Sequence, residues 1–222
     1  MRFGFATAAA VATATLAASA NAHWYHGGAQ IILDPKAPAY TLSRSVRDTS
    51  KLEWHNNTNW LGQIVDFKLI KPLFDKLNAS SKAYPLMSRG ESHVTVLTPP
   101  EFNQLATVNV TIADVNAAAK KFEIQKSPIR PVCLGRERVN TTAGFKEVFQ
   151  VIVEKPRNHL AIRRELFAKY RKNGGEGSLF DPESYWPHIT VGFNVSDVFL
   201  ADSPTGSGLY KGYSACWAKI DL

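Results

Sequence analysis

At 222 residues with 45% hydrophobic content, the chain can bury a core as one domain or as two small lobes sharing an interface, and its composition excludes a disordered protein. The formal charge of +7 at pH 7 favours anionic partners such as phosphates, nucleic acid or acidic glycans, although a solubilising surface gives the same balance. The two cysteines, Cys133 and Cys216, have no metal-site spacing and sit in no nucleophile motif.

Arg2 precedes an alanine-rich apolar run, 3–18, and then Ala20-Asn21-Ala22, a small-x-small cleavage pattern. Residues 1–22 therefore read as a signal peptide. The alternative is a membrane anchor, but the run is short and weakly hydrophobic, and no later stretch is long and apolar enough to span a bilayer. Removing 1–22 takes away one cation, Arg2, and no acid, which leaves +6. Five N-x-Ser/Thr sequons follow, at Asn56, Asn78, Asn109, Asn140 and Asn194, compatible with glycosylation on a secretory route. A secreted protein without stable membrane association is the expectation. In an oxidising compartment Cys133 and Cys216 form one long-range disulfide; two buried thiols are the alternative.

Residues 23–50 carry Gly27, Gly28, Pro35, Pro38 and a polar run, 43–50, and read as an irregular extension wrapped over a domain spanning 51–222. A strand is expected over 60–65 and a helix over 68–78, with Pro72 tolerable only in its first turn. Residues 92–97 alternate as a strand, which Thr98-Pro99-Pro100 stops. Thr111 with Asp114 three residues later opens a helix to about Phe122. Strands over 129–139 and 147–154 flank the turn 140–144 as a hairpin. The clearest helix is 158–172, with Leu160, Ile162, Leu166, Phe167 and Tyr170 on its apolar face and Asn173-Gly174-Gly175 as its stop. A strand over 187–193 and a β-rich segment over 213–220 complete an α+β chain of two similar halves.

Two tetrapeptides match: His93-Val94-Thr95-Val96 and His188-Ile189-Thr190-Val191. On a strand, His and Thr share one face while the two apolar residues anchor the other. If the two strands lie together, two imidazoles and two hydroxyls surround one point. One neutral histidine can take a proton from water while a protonated one gives a proton to a leaving oxygen, and the hydroxyls can hold non-bridging phosphate oxygens. No metal or other cofactor is needed for that chemistry. A single His-x-Thr is ordinarily only a half-exposed polar face; the repetition carries the argument.

These paired H-x-T-hydrophobic motifs resemble those of the two-histidine (2H) phosphoesterase superfamily, which includes the LigT-like RNA cyclic phosphodiesterases. The resemblance runs from about residue 60 to the C-terminus, with its specificity in those eight residues. It implies a bilobal, pseudo-symmetric α+β fold with antiparallel sheets lining a central cleft and helices outside. It further implies metal-independent hydrolysis of 2′,3′-cyclic phosphates or related RNA or nucleotide phosphodiesters, with His93 and His188 as acid and base and Thr95 and Thr190 binding phosphate. The signal peptide, the sequons and the 23–50 extension depart from the usual family picture and leave the substrate open.

Tyr185 and Trp186, just before the second motif, could stack on a nucleobase, with core packing as the alternative. Arg89, Arg136, Arg138 and Lys146 could supply cations for a phosphate. Two other functions fit the chain: a secreted RNA- or nucleotide-binding module without turnover, and a copper site at a processed N-terminal His23 completed by His26 or His55.

Overall fold

The computed structural model of the chain describes residues 23–24, 30–31, 33–55, 59–141, 144–198 and 216–222. The segment 1–22, His26 and the sequon at Asn56 lie outside the described residues, as do the side chain of His23 and the first part of the 213–220 segment.

Strands β1 (His23–Trp24) and β2 (Gln30–Ile31) form an antiparallel ribbon, and β3 (Tyr40–Thr41) leads into the body of the protein. There follow β4 (Leu61–Val65), α1 (Phe67–Ser80), β5 (Ser92–Leu97), α2 (Pro99–Ala106), α3 (Ile112–Lys121), β6 (Pro131–Thr141), β7 (Gly144–Val153), α4 (Arg157–Lys172), β8 (His188–Phe193), β9 (Cys216–Ala218) and β10 (Ile220–Asp221). Six of the strands make one antiparallel sheet in the order β4-β5-β8-β7-β6-β9, while β3 pairs with β10 in parallel. The α+β class expected from the sequence holds. The antiparallel strands from both halves of the chain enter one continuous sheet, with the two histidine strands as neighbours near its middle.

The apolar members of the alternating strands explain how the sheet is held. Val94, Ile189, Val191, Val151 and Leu134 face α1, which contributes Ile70, Leu73 and Leu77 to the same core. Tyr40, Leu42 and Val46 join that core, so the stretch before β4 is packed into the body it wraps. A second core gathers α2, α3 and α4 around Leu61, Val96 and Leu97, with Val115, Ile162 and Leu166. No described helix is long and apolar enough to cross a membrane.

Two helices differ from expectation. The Asp66 side chain caps α1 by accepting from the Lys68 N–H, so the helix starts at Phe67 and Pro72 falls inside it, past the first turn. Burial of Ile70, Leu73 and Leu77 holds the helix together across the missing amide. After β5, Thr98-Pro99-Pro100 begins α2: Thr98 and Glu101 form a capping box, and both prolines sit at the first two positions, where an N–H has no helical partner. The Thr111–Asp114 box on α3 and the helix α4 occur as expected. The β6–β7 hairpin closes at Gly144, whose φ of 120° favours glycine.

Candidate active site

The pairing of β5 with β8 places Val94 opposite Ile189. In that antiparallel register His93 stands opposite Thr190 and Thr95 opposite His188, all four on the face away from α1. Facing Cβ atoms on such a pair lie about 5 Å apart and diagonal neighbours about 7 Å apart, so the imidazoles occupy one diagonal of a small rectangle and the hydroxyls the other. All four side chains are partly exposed, whereas Val94, Ile189, Val96 and Val191 are buried. The structure thus brings together the four residues that the sequence singled out.

Both strands are irregular at the same motif position. Leu61 pairs with Leu97 and Gly62 with Thr95, so Val96 is an extra residue in β5; Phe149 pairs with Gly192 and Gln150 with Thr190, so Val191 is an extra residue in β8. Each His-x-Thr is therefore followed at once by a β-bulge, which twists the strand and re-aims the side chains beside it. The bulges also account for consecutive buried residues, Val96-Leu97 and Val191-Gly192, where strict alternation would expose one of each pair.

Each imidazole is approached at Nδ1 by the residue two positions earlier. His188 Nδ1 lies 3.0 Å from the Trp186 carbonyl oxygen, and His93 Nδ1 lies 3.8 Å from Glu91 Oε1. A carbonyl only accepts, so His188 Nδ1 carries the proton and Nε2 is the atom presented to a reacting group. The His93 ring also packs against Trp60, with ring centroids 4.6 Å apart, and His55 stacks on Trp60 at 3.7 Å. Burial lowers the His55 pKa, which suits a neutral ring stacked on indole, while the Glu91 carboxylate acts in the opposite direction. A Cβ on Gly62 would come within 2.3 Å of Trp60 Cζ3, so the glycine leaves the space that the indole fills.

The other candidates separate. Tyr185 is 5% exposed, its hydroxyl 2.8 Å from His159 Nδ1 and its ring against the Arg163 guanidinium, so it is a core residue and the expected base stacking does not extend to it. Successive residues of an extended chain point to opposite sides, and Trp186 accordingly faces outward. It lines a groove of about 960 Å³ with Arg130, Lys155 and Asp181, and the Lys155 ammonium lies over its ring. Arg89 pairs with Asp197 at 2.8 Å. Arg136 and Arg138 bind the buried Glu147 carboxylate on the α1 side of the sheet and are not poised for a phosphate beside the histidines. His55 is held against Trp60.

Cys133 and Cys216 form a disulfide with Cα atoms 5.6 Å apart, joining β6 to β9. Cys133 pairs with Ile152, and Ile152 with His188, so the disulfide borders the histidine face on one side. Among the sequons, Asn109 and Asn140 are exposed; Asn78 accepts from the Leu86 N–H, and Asn194 both accepts from Glu147 N and donates to Phe145 O.

Trp60, Glu91 and Arg163 were not anticipated from the sequence. Arg163 alone left a signal: it falls on the stripe His159, Ile162, Leu166, Tyr170 of α4, where a charge needs a buried partner. Neither the curated proteins nor the solved structures contain a match to this chain. A family model for the Swiss Army Knife 2H phosphoesterase domain matches residues 59–199, which include both motifs, both bulges and the helices between them. The chain belongs to the 2H phosphoesterase family.

Proposed function

We propose that the protein is a metal-independent phosphodiesterase that opens 2′,3′-cyclic phosphates or related RNA or nucleotide phosphodiesters, and that it works outside the cell after export and glycosylation. The observation that carries the reading is the single register in which His93 faces Thr190 and Thr95 faces His188. A phosphate over that rectangle meets an imidazole on either side and a hydroxyl on either side.

The chemistry follows from that arrangement. A neutral imidazole removes a proton from water as its oxygen bonds to phosphorus; the opposite imidazolium delivers a proton to the ribose oxygen as its bond to phosphorus breaks. The product is a phosphomonoester with a free hydroxyl, and exchange with solvent resets the two rings. Thr95 and Thr190 donate to the non-bridging oxygens, where negative charge sits throughout. The pair supplies acid, base and anion contacts from the chain itself, which supports the metal-independent reading. The basic composition and the half-exposed Trp186 favour a nucleotide or RNA substrate.

The test is incubation of the protein with 2′,3′-cyclic nucleotides and short RNAs ending in a cyclic phosphate, with and without chelator. Ring opening to a monophosphate that survives the chelator supports the reading. Phosphate binding without turnover would favour a binding module instead.

A further inference from the structure

Arg163 is 1% exposed, and every nitrogen of its guanidinium donates a hydrogen bond. Nε donates to Pro182 O at 2.9 Å, Nη1 to Val96 O at 2.9 Å, and Nη2 to Glu101 Oε1 at 2.8 Å, Asp181 O at 3.0 Å and Ser184 O at 3.2 Å. One acceptor lies in the first His-x-Thr motif, one just beyond it on α2, and the other three in the loop that leads to the second motif. Val96 is the bulged fourth residue of the first motif, so the ladder with β4 skips it and its carbonyl turns to Arg163. Asp181, Pro182 and Ser184 form the loop that runs into Trp186, whose carbonyl holds His188. Glu101 neutralises the guanidinium with one oxygen and takes the Thr98 amide and hydroxyl with the other, just beyond the end of β5. A planar fork fixes the relative places of everything it binds, which a lysine ammonium on a flexible stem does not do.

We infer that Arg163 is a positioning residue for the reaction: by holding Val96 and the 181–184 loop in one guanidinium plane, it fixes how the His188 ring is aimed relative to His93 within the register of β5 and β8. This rests on the two-histidine reading of the site. A cyclic nucleotide needs both rings aligned on one phosphorus, since its ribose oxygen must be protonated as it leaves. An aryl phosphodiester with a stable phenolate leaving group needs only one ring, the base.

The experiment compares Arg163→Lys with wild type on 2′,3′-cyclic AMP and on bis(4-nitrophenyl) phosphate, with folding checked by circular dichroism. Misplacement of the paired rings should cost about 100-fold in kcat on the cyclic nucleotide with KM little changed, and about threefold or less on the aryl ester. Equal losses on the two substrates, or an unchanged kcat on the cyclic nucleotide, would overturn the positioning role. If Arg163→Lys does not fold, Glu101→Gln takes its place, with an expected loss of about tenfold confined to the cyclic nucleotide; equal effects on both substrates again overturn the inference. Wild-type protein inert toward both substrates, or His188→Ala as active as wild type on the cyclic nucleotide, would defeat the two-histidine reading itself.

Discussion

The Trp186 carbonyl oxygen accepts a hydrogen bond from His188 Nδ1 across 3.0 Å, so the backbone just before the second motif fixes the tautomer of the imidazole that begins it. Neutral His188 is therefore expected as the Nδ1–H form. Nitrogen-15 NMR of the free protein above the titration range should show a protonated Nδ1 and a bare Nε2; the opposite pattern would mean that Nε2 cannot serve as a base.

Trp60 gives His93 a second wall, and Gly62 makes room for it. Gly62→Ala puts a Cβ where the indole lies, 2.3 Å from Cζ3, so the ring that packs against His93 is displaced. A fall of about tenfold in kcat is expected, since small displacements of a reacting group are costly. The check is steady-state kinetics on a 2′,3′-cyclic nucleotide; unchanged kcat would show that the indole does not position the imidazole.

The alternation that exposes His and Thr on one face is local, and this is why β5 and β8 were legible in the sequence. Their adjacency was not legible, because strand order depends on contacts between residues far apart in the chain. The same holds for Arg163, whose link to Val96 spans 67 residues. The helix α2 was hidden for another reason: Pro99-Pro100 ends a strand and equally begins a helix, and the Thr98–Glu101 spacing was the feature that distinguished the two. Tyr185 and Trp186 looked alike in sequence, yet one side chain is buried and the other faces a groove, as alternation requires.

His159 makes stability depend on pH. Its ring is fully buried, and desolvation lowers its pKa from 6.5 to about 3, so the folded state keeps it neutral where the unfolded chain would protonate it. The unfolded state then binds more protons between those two values, and stability falls as pH drops through that window. This one group accounts for about 3 kcal/mol lost between pH 7 and pH 4. Urea unfolding across that range should show the slope, and His159→Gln, which keeps a hydrogen-bonding side chain without a titrating ring, should flatten it. An unaltered slope in the variant would assign the pH dependence elsewhere.

The Cys133–Cys216 disulfide closes a loop with a sequence separation of 83. In the chain-entropy treatment a loop of that length contributes about 4.5 kcal/mol. Thermal unfolding with and without reductant should show a drop in Tm of many degrees. A Cys133→Ala/Cys216→Ala variant should match the reduced protein, and equal Tm values for oxidised and reduced protein would contradict this role.

Glycan acceptance should follow exposure. Produced through a eukaryotic secretory route, the protein should carry glycans at Asn109 and Asn140, whereas the Asn194 amide is held by Glu147 and Phe145. Peptide mapping distinguishes these sites, and full occupancy at Asn194 with none at Asn109 would contradict the expectation.

In the proposed reaction two imidazoles serve one phosphate. The direct measurement is turnover of a 2′,3′-cyclic nucleotide by wild type, His93→Ala, His188→Ala and the double variant, each with chelator present. Each single change should lower kcat by about 1000-fold, with the double variant little worse than either, because the two rings act as a unit. A single variant that keeps activity within a few-fold of wild type, or wild-type activity abolished by the chelator, would contradict a metal-independent reaction carried by both rings.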